Sequence, residues 1–313
     1  MAVRIVSLVP NATEIVCALG LGDVLVGVSH DCDYPPEIRG KPVLSRAIVG
    51  PDARSAAIDS RIREAVHSGT SVYHLDARVL SRLNPDLILT QELCAVCAPS
   101  YTLVTKAAKL LDSDVKIVSL EPHRLHDVLD NIRLVGELTG TEPRALALVE
   151  SLEARIATVA ARDGGAGRGA RVPRPRVVCL EWMDPIYVGG HWVPEMVDAA
   201  GGRDVLGRPG ETSRTVEWEE VVAAQPEILV LMPCGYDIAR TRAELETLTT
   251  RPGWQRLPAV RSGRVFLTDA SSYFNRPGPR LVDGIEILAL AITGNGLDDD
   301  FAPAAIHRIR PEG

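Results

Sequence analysis

The sequence predicts an α/β protein with two Rossmann-like lobes that contain parallel sheets and are joined by a long helix. Short apolar runs alternate with helical segments over the first 121 residues. Apolar residues then recur at 3.6-residue spacing from about 123 to 162, and the alternation resumes from 177 to 292. Such alternation is typical of parallel sheets covered by helices. A chain of 313 residues also exceeds what one hydrophobic core usually holds.

The N-terminal lobe, residues 1–121, begins with a buried strand. The run "RIVSLVP" is apolar and β-branched and ends at a proline, and "NATEIVCALGLG" has the pattern of a helix capped by Asn11 or Thr13. The remaining strands and helices of this lobe are predicted in "VLVGVS", "SAAIDSRIREAVHSG", "NPDLILT", "YTLVTKAAKLL" and "VKIVSL". A polar, proline-rich loop, "HDCDYPPEIRGKP", follows the second strand.

The middle of the chain, residues 122–162, predicts a helical linker. Gly140 and Pro143 interrupt its periodicity, so the pattern fits one long kinked helix or two helices end to end. Residues 163–176, "DGGAGRGARVPRPR", are rich in glycine and proline and predict a flexible loop.

The C-terminal lobe, residues 177–292, repeats the α/β pattern. Its strands are predicted in "RVVCLEW", "PEILVLMP" and "RVFLTDA". Its helices are predicted in "PEMVDAAGG", "WEEVVAAQ" and "PRLVDGIEILALAI". Residues 293–313 are predicted to form a tail.

Composition narrows the function classes. A formal net charge of -7 argues against a nucleic-acid partner, and no run of 18 or more apolar residues predicts membrane insertion. The first residues show no signal-peptide pattern, so the expected location is cytoplasmic. In that compartment the six cysteines are expected to be thiols or metal ligands rather than disulfides.

The motifs of the chain resemble those of cobalamin-binding proteins in the helical-backbone (class III) solute-binding superfamily. The matching stretches are "RIVSLVPNATEIVCALGLGDVLVGVS", "DYPPEIRGKPVLS", "LNPDLIL", "GHWVPEMVDAAGG" and "YFNRPGPRLVDGIEIL". The resemblance covers about residues 3–292. It implies two α/β lobes joined by a long helix, with a small-molecule ligand in the cleft between them. Cobalamin is a candidate ligand, and an ABC permease is a partner only if the protein is exported.

The chain departs from that family in the loop around "DYPP". Cobalamin transport receptors have aromatic side chains there, whereas this chain has His30, Asp31 and Cys32. These residues are potential metal ligands or acid–base groups, so the departure favours metal chemistry over a plain corrinoid pocket.

Potential metal ligands follow several predicted strands, where ligands of parallel sheets usually lie. Cys94 and Cys97 form a C-x-x-C pair directly after "NPDLILT", which is compatible with a metal ion or an iron–sulfur cluster. The second C-x-x-C of a structural zinc site is absent, so two buried thiols at a helix start are the alternative. The full candidate set is His30, Cys32, Cys94, Cys97, His191 and Cys234. Loop hydrogen bonds are the alternative role for the two histidines.

Aromatic and polar residues near the strand ends are candidate ligand contacts. Five aromatic side chains are predicted to stack on a flat ligand, with core packing as the alternative for at least one tryptophan: Trp182, Trp192, Tyr236, Tyr273 and Phe274. Six further contacts are predicted at Asn11, Thr13, Glu14, Tyr34, Gln91 and Arg276. Arg276 is a candidate clamp for a carboxylate or phosphate, and a surface ion pair is its alternative.

Two functions remain open from the sequence. The first is a soluble binding protein for a corrinoid-like or metal-chelate small molecule. The second is a metal- or iron–sulfur-dependent enzyme that reuses the same cleft, with Asp31, Glu181 or Asp184 as acid–base groups. The motifs of P-loop nucleotide hydrolysis and zinc proteolysis are absent.

Overall fold

A computed structural model of the chain describes residues 3–47, 53–68, 73–91, 104–105, 115–164, 173–294 and 305–309. The chain divides into two compact units. Unit 1 comprises Met1–Pro122 and Asp127–Val149, and unit 2 comprises His123–His126 and Glu150–Gly313. Each unit has its own sheet with helices, so the predicted two-lobed α/β fold is confirmed.

Unit 1 contains a parallel four-stranded sheet. Its strands are β1 (Ile5–Ser7), β2 (Leu25–Val28), β5 (Leu87–Thr90) and β6 (Lys116–Ser119), in the order β2-β1-β5-β6. Two further strands, β3 (Ser45–Ala47) and β4 (Tyr73–Leu75), form a separate antiparallel pair that the sequence did not reveal. The helices before the linker are α1 (Pro10–Ala18), α2 (Ser55–Ser68) and α3 (Ala77–Leu83). The helix expected in "YTLVTKAAKLL" lies outside the described residues, apart from 104 and 105.

Helix α1 begins differently from the prediction. Its N-cap is Val9, and Pro10 occupies the first helical position, where its fixed φ suits the helix and its missing N–H is not needed. Asn11 and Thr13 therefore lie inside the helix, and neither caps it. Thr13 uses its hydroxyl for contacts beyond the helix instead.

The linker consists of two helices. Helix α4 (Leu125–Thr139) and helix α5 (Glu142–Gly164) are separated at Gly140, whose φ of +66 is a left-handed conformation that favours glycine. A Cβ atom on Gly136 would lie 2.4 Å from the Cβ of Ala145, so the two helices approach closely just beside the turn. Of the two alternatives, the chain therefore adopts two helices.

Unit 2 contains a seven-stranded mixed sheet. The strands are β7 (Arg176–Met183), β8 (Ile186–Val188), β9 (Arg203–Asp204), β10 (Arg214–Thr215), β11 (Ile228–Leu231), β12 (Val265–Thr268) and β13 (Ile306–Ile309). Strands β7, β11 and β12 are parallel neighbours, as predicted. Strands β8, β10 and β13 add antiparallel pairings at the two sides, so this sheet is not purely parallel.

The helices of unit 2 after α5 are mostly short. They are α6 (Val193–Ala199), α7 (Trp218–Ala224), α8 (Ile238–Ala243), α9 (Glu246–Thr249), α10 (Pro258–Arg261), α11 (Ala270–Tyr273) and α12 (Leu281–Thr293). Within the described ranges, no helix combines the length and the apolar composition that crossing a bilayer requires.

Two expectations for unit 2 need correction. The predicted tail, 293–313, contains β13, which pairs with β12 along its whole length. Strand β8 was not predicted either: after β7 the chain reverses at Asp184 and Pro185 and returns as β8. Most of the flexible loop predicted at 163–176 lies outside the described residues, and Arg176 already begins β7.

Candidate functional site

A cluster of hydroxyl groups surrounds the sulfur of Cys32 in unit 1. Thr13 Oγ1 lies 2.8 Å from Ser7 Oγ and 3.1 Å from Cys32 Sγ. Ser29 Oγ lies 3.1 Å from the same sulfur, and the Cys32 N–H donates to the Ser29 carbonyl. These residues follow β1 and β2, so the carboxyl end of this sheet does collect polar groups. The contacts described for this sulfur are with the hydroxyl groups of Thr13 and Ser29.

His30 is held by the strand pair of unit 1. Its Nδ1 lies 2.8 Å from Ser45 Oγ, and its backbone N–H donates to the same oxygen. Its Nε2 lies 3.4 Å from Asp31 Oδ2, and its ring centroid lies 5.5 Å from that of Tyr73. The alternative of a loop hydrogen bond is therefore the role that the structure shows for His30. A catalytic role for Asp31 stays a prediction.

The predicted cysteine–histidine metal cluster is not assembled among the described residues. Cys94 and Cys97 lie outside them, and Cys234 is exposed in a loop of unit 2. In the described part of the chain, one group of three potential ligands has ligand atoms within 4.8 Å of one another, and it contains none of the predicted residues: His126, Asp127 and Asp130. This group sits on the first turns of α4, and exposed acidic groups are common without an ion.

Tyr34 presents an aromatic side chain to solvent. It lies in the loop after β2, it precedes Pro35 through a cis peptide bond, and it is 42% exposed. Among the described residues, few large apolar side chains are as exposed. The other predicted contacts of unit 1, Asn11, Thr13, Glu14 and Gln91, are buried. Thr13 is engaged with Ser7 and Cys32, and ligand contact by the other three stays a prediction.

Trp182 and Tyr236 meet near the carboxyl ends of β7 and β11 in unit 2. Their ring centroids are 5.4 Å apart in an edge-to-face arrangement. The Tyr236 hydroxyl donates to Glu244 Oε1 at 2.8 Å, and the Arg240 guanidinium lies over its ring. Burial, and then the Glu244 hydrogen bond, raise the pKa of Tyr236. Trp182 is only half-buried, and its Nε1 has no hydrogen-bond partner among the described residues.

Three of the five predicted stacking residues belong to the core. Trp192, Tyr236 and Phe274 are 5%, 1% and 0% exposed. Trp192 Nε1 donates to the Phe274 carbonyl at 2.9 Å, which fixes two of these residues against each other. Their burial favours core packing, which was the alternative given for at least one tryptophan, and stacking on a ligand stays a prediction.

The segment that follows β12 contains two of the predicted ligand-contact residues and one further polar residue that was not predicted. Tyr273 and Arg276 are half-buried, and Arg280 lies 5.7 Å from the centre of the Tyr273 ring. Asn275 between them was not predicted, although its buried Oδ1 has no hydrogen-bond partner in the described ranges. Its position next to Arg276 in "SSYFNRPG" was the only signal in the sequence.

The acid–base candidates of unit 2 have protein partners. Ser213 Oγ donates a short hydrogen bond to Glu181 Oε2, and Arg251 lies 3.8 Å from Asp184 Oδ1. The Cys234 N–H donates to the Glu181 carbonyl, which joins the ends of β7 and β11. These contacts account for the carboxylates as structural groups, and their catalytic roles stay predictions.

His191 occupies a different position from the one expected. The β7–β8 reversal carries it away from Asp184, to just beyond Gly189, whose N–H donates to the Cys179 carbonyl. Its φ of +50 is left-handed, and its backbone exchanges hydrogen bonds with Glu211 and Gly210. Its ring centroid lies 5.5 Å from that of Trp192 and 6.1 Å from that of His123. Burial and the neighbouring His123 lower the pKa of His191.

Comparison with known proteins decides the family. The sequence profile of periplasmic binding proteins matches residues 5–272. The chain belongs to the periplasmic binding protein family. This membership agrees with the superfamily that the motifs had indicated.

Sequence similarity between this periplasmic binding protein and its known relatives extends over most of the chain. It is 27% identical to YvrC of Bacillus subtilis, an uncharacterised ABC transporter substrate-binding lipoprotein, with 92% of this chain and 79% of the relative covered. It is 26% identical to the vitamin B12-binding protein of Vibrio cholerae, with 91% and 87% covered. A periplasmic haem-binding protein of Pseudomonas aeruginosa has a similar fold, with a TM-score of 0.74, 20% identity and full coverage of both chains.

These matches correct the expected location and bear on the two open functions. The prediction of a cytoplasmic protein is wrong, because the relatives are a lipoprotein and periplasmic receptors. The matched family is one of binding proteins, so a binding role is supported and the enzymatic alternative gains no support.

Proposed function

We propose that this periplasmic binding protein binds a corrinoid or another flat metal chelate, such as haem, and delivers it to an ABC permease. The observation that carries the proposal is Tyr34, an exposed aromatic side chain in the loop after β2. The similarity to a vitamin B12-binding protein over 91% of the chain supports the same ligand class.

An exposed tyrosine suits a flat ligand for two physical reasons. Its ring offers apolar area that gains free energy when a macrocycle covers it, and stacking adds about 0.5–1.5 kcal/mol. Few large apolar residues of the described chain are as exposed, and one of the others, Leu146, lies on α5. Its place at the carboxyl end of a parallel strand is where ligands of such sheets bind.

Unit 2, considered by itself, offers polar contacts for the rim of such a ligand. Trp182 Nε1 is a donor and Asn275 Oδ1 an acceptor, and each is buried without a hydrogen-bond partner among the described residues. The amide groups at the rim of a corrin ring both donate and accept hydrogen bonds. Satisfying a buried polar atom removes a cost of about 1–3 kcal/mol. Arg276 is suited to the propionate groups of haem.

Titration of the purified protein with cobalamin, haem and a ferric hydroxamate tests the proposal. Absorbance and calorimetry follow binding, and at least one ligand is expected to bind with a Kd well below about 100 μM. Absence of binding to all three at that concentration would refute the proposal.

A pair of variants tests the role of Tyr34. The Tyr34→Ala protein is expected to bind about 10-fold more weakly, because lost stacking and apolar contact amount to about 1.4 kcal/mol. Leu146→Ala is the matched control, since Leu146 is 52% exposed but lies on a helix away from the strand ends. Equal affinities of the two variants would remove Tyr34 from the site.

A further inference from the structure

We propose that His123 and His191 form a two-histidine site for a divalent transition-metal ion within unit 2. His123 lies just before α4, and His191 lies between β8 and α6. The site goes beyond the proposed binding of a metal chelate, because the ion would be held by the protein itself. It also differs from the predicted cysteine cluster, since it uses nitrogen ligands alone.

The separation of the two rings fits one shared ion. Their centroids are 6.1 Å apart with an interplanar angle of 34°. A metal–nitrogen bond of about 2.0–2.1 Å places an imidazole centroid about 3.2 Å from the ion. Two such rings on one ion therefore have centroids about 5–6.4 Å apart, depending on the angle between the bonds. The observed centroid separation of 6.1 Å lies within that range.

The backbone of His191 is held in an uncommon conformation. Among the described residues, three that are not glycine have positive φ, and two of them, Asn84 and Gln225, end helices α3 and α7. His191 ends no helix, and a left-handed conformation costs such a residue about 1–2 kcal/mol. Hydrogen bonds of 2.6 Å to the Glu211 carbonyl and 2.9 Å from the Gly210 N–H hold it there. Strain of this kind is frequent at binding sites.

The ring of His191 is available for a metal. Its Nε2 is buried and has no hydrogen-bond partner in the described part of the chain. An ion would satisfy the buried nitrogen and would displace no existing hydrogen bond of that atom.

The charged groups nearby form ion pairs. Arg124 binds Glu195 at 2.8 Å, and the second oxygen of Glu195 accepts the Leu125 N–H. Arg208 lies 3.1 Å from Glu211. Imidazole ligands such as those of His123 and His191 favour Cu²⁺, Ni²⁺ and Zn²⁺ over Mg²⁺ and Ca²⁺. Water would complete the coordination.

Metal titration of tag-free protein, stripped with a chelator, tests the site. Calorimetry with Cu²⁺, Ni²⁺, Zn²⁺ and Mg²⁺ is expected to show one equivalent of the first three and no binding of Mg²⁺. Paramagnetic resonance of the Cu²⁺ protein is expected to show coupling to two imidazole nitrogens. A Kd above about 100 μM for all three transition metals would overturn the proposal.

Single variants assign the ligands. His123→Gln and His191→Asn are each expected to weaken Cu²⁺ binding at least 10-fold, and asparagine tolerates the left-handed backbone at 191. His307→Gln is the matched control, because His307 is an exposed histidine of unit 2 that lies in β13, outside the proposed site. Wild-type affinity in both ligand variants, or an equal loss in the control, would contradict the site. Thermal melting confirms that each variant is folded, and cobalamin titration tests the proposed function separately.

Discussion

Asp204 allows a quantitative test of the electrostatics in unit 2. Its Oδ1 accepts hydrogen bonds from the N–H groups of Leu206 and Gly207, at 3.0 and 2.7 Å. Its Oδ2 is buried and has no hydrogen-bond partner among the described residues. A Cβ on Gly207 would lie 2.6 Å from that oxygen, so the turn packs tightly over it. Burial raises the pKa of Asp204 from 3.8 to about 6, against the two backbone hydrogen bonds that lower it.

The sign of the pH dependence follows from that shift. Between pH 3.8 and about 6 the folded protein binds more protons at this carboxyl group than the unfolded chain does. The free energy of unfolding therefore falls as the pH rises through this window. A rise of the pKa by about 2.2 lowers the free energy of unfolding by about 3 kcal/mol at neutral pH, relative to a carboxyl group with an unshifted pKa. About 1 kcal/mol of it is already present at pH 4.5.

The substitution Asp204→Asn removes the ionisable carboxyl group but keeps an oxygen that can accept the two backbone hydrogen bonds. Its stability relative to wild type is expected to increase by about 2 kcal/mol between pH 4.5 and pH 7.5. Urea unfolding at four pH values in this range measures the difference, and contributions from other titrating groups cancel. Asp198→Asn, an exposed position of α6, controls for net charge and should show a much smaller trend. A constant difference for Asp204→Asn would show that the buried carboxyl is not desolvated as described.

Two further substitutions test the packing and the charges of unit 2. Phe274→Ala is expected to lower the free energy of unfolding by about 3–5 kcal/mol, because the side chain is fully buried beside Trp192. A loss below about 1 kcal/mol in urea unfolding would show that Phe274 is not packed in the core as described. Arg155→Met is expected to lower the free energy of unfolding by only about 1 kcal/mol, because Arg155 pairs with Asp283 and Glu286 but is 37% exposed. This loss of stability should be smaller in 1 M salt, which screens the ion pairs. An equal loss at low and high salt would indicate that Arg155 stabilises the protein mainly by packing.

The strands of both sheet centres could be predicted because burial leaves a simple pattern. Strands β1, β5, β7, β11 and β12 are continuous apolar runs, which is what burial on both faces requires. The missed strands are short, and all but β8 lie at sheet edges, where only one neighbouring strand is available for pairing. Strand β13 is the clearest case, since its "IHRI" alternates only weakly and becomes a strand by pairing with β12.

The site could be predicted only in part, because residue type does not reveal which way a side chain faces. Tyr34 and Trp182 lie at strand ends and retain exposed surface, as expected. Tyr236 also follows a strand, yet its ring is in the core and its hydroxyl binds Glu244. An aromatic residue has the same sequence signature in both settings. The β7–β8 reversal was equally hidden, and it separated His191 from Trp182.

At the proposed histidine site, an ion would displace fewer existing contacts than at the cysteine of unit 1. Cys32 Sγ has hydroxyls of Thr13 and Ser29 at 3.1 Å, and His30 is engaged by Ser45 and Asp31. An ion placed there would have to displace several of these contacts, each of which contributes about 0.5–1.5 kcal/mol. His191 Nε2 has no such contact among the described residues. The cost of forming a site is therefore lower at His191, although its sequence signal was weaker than that of the cysteines.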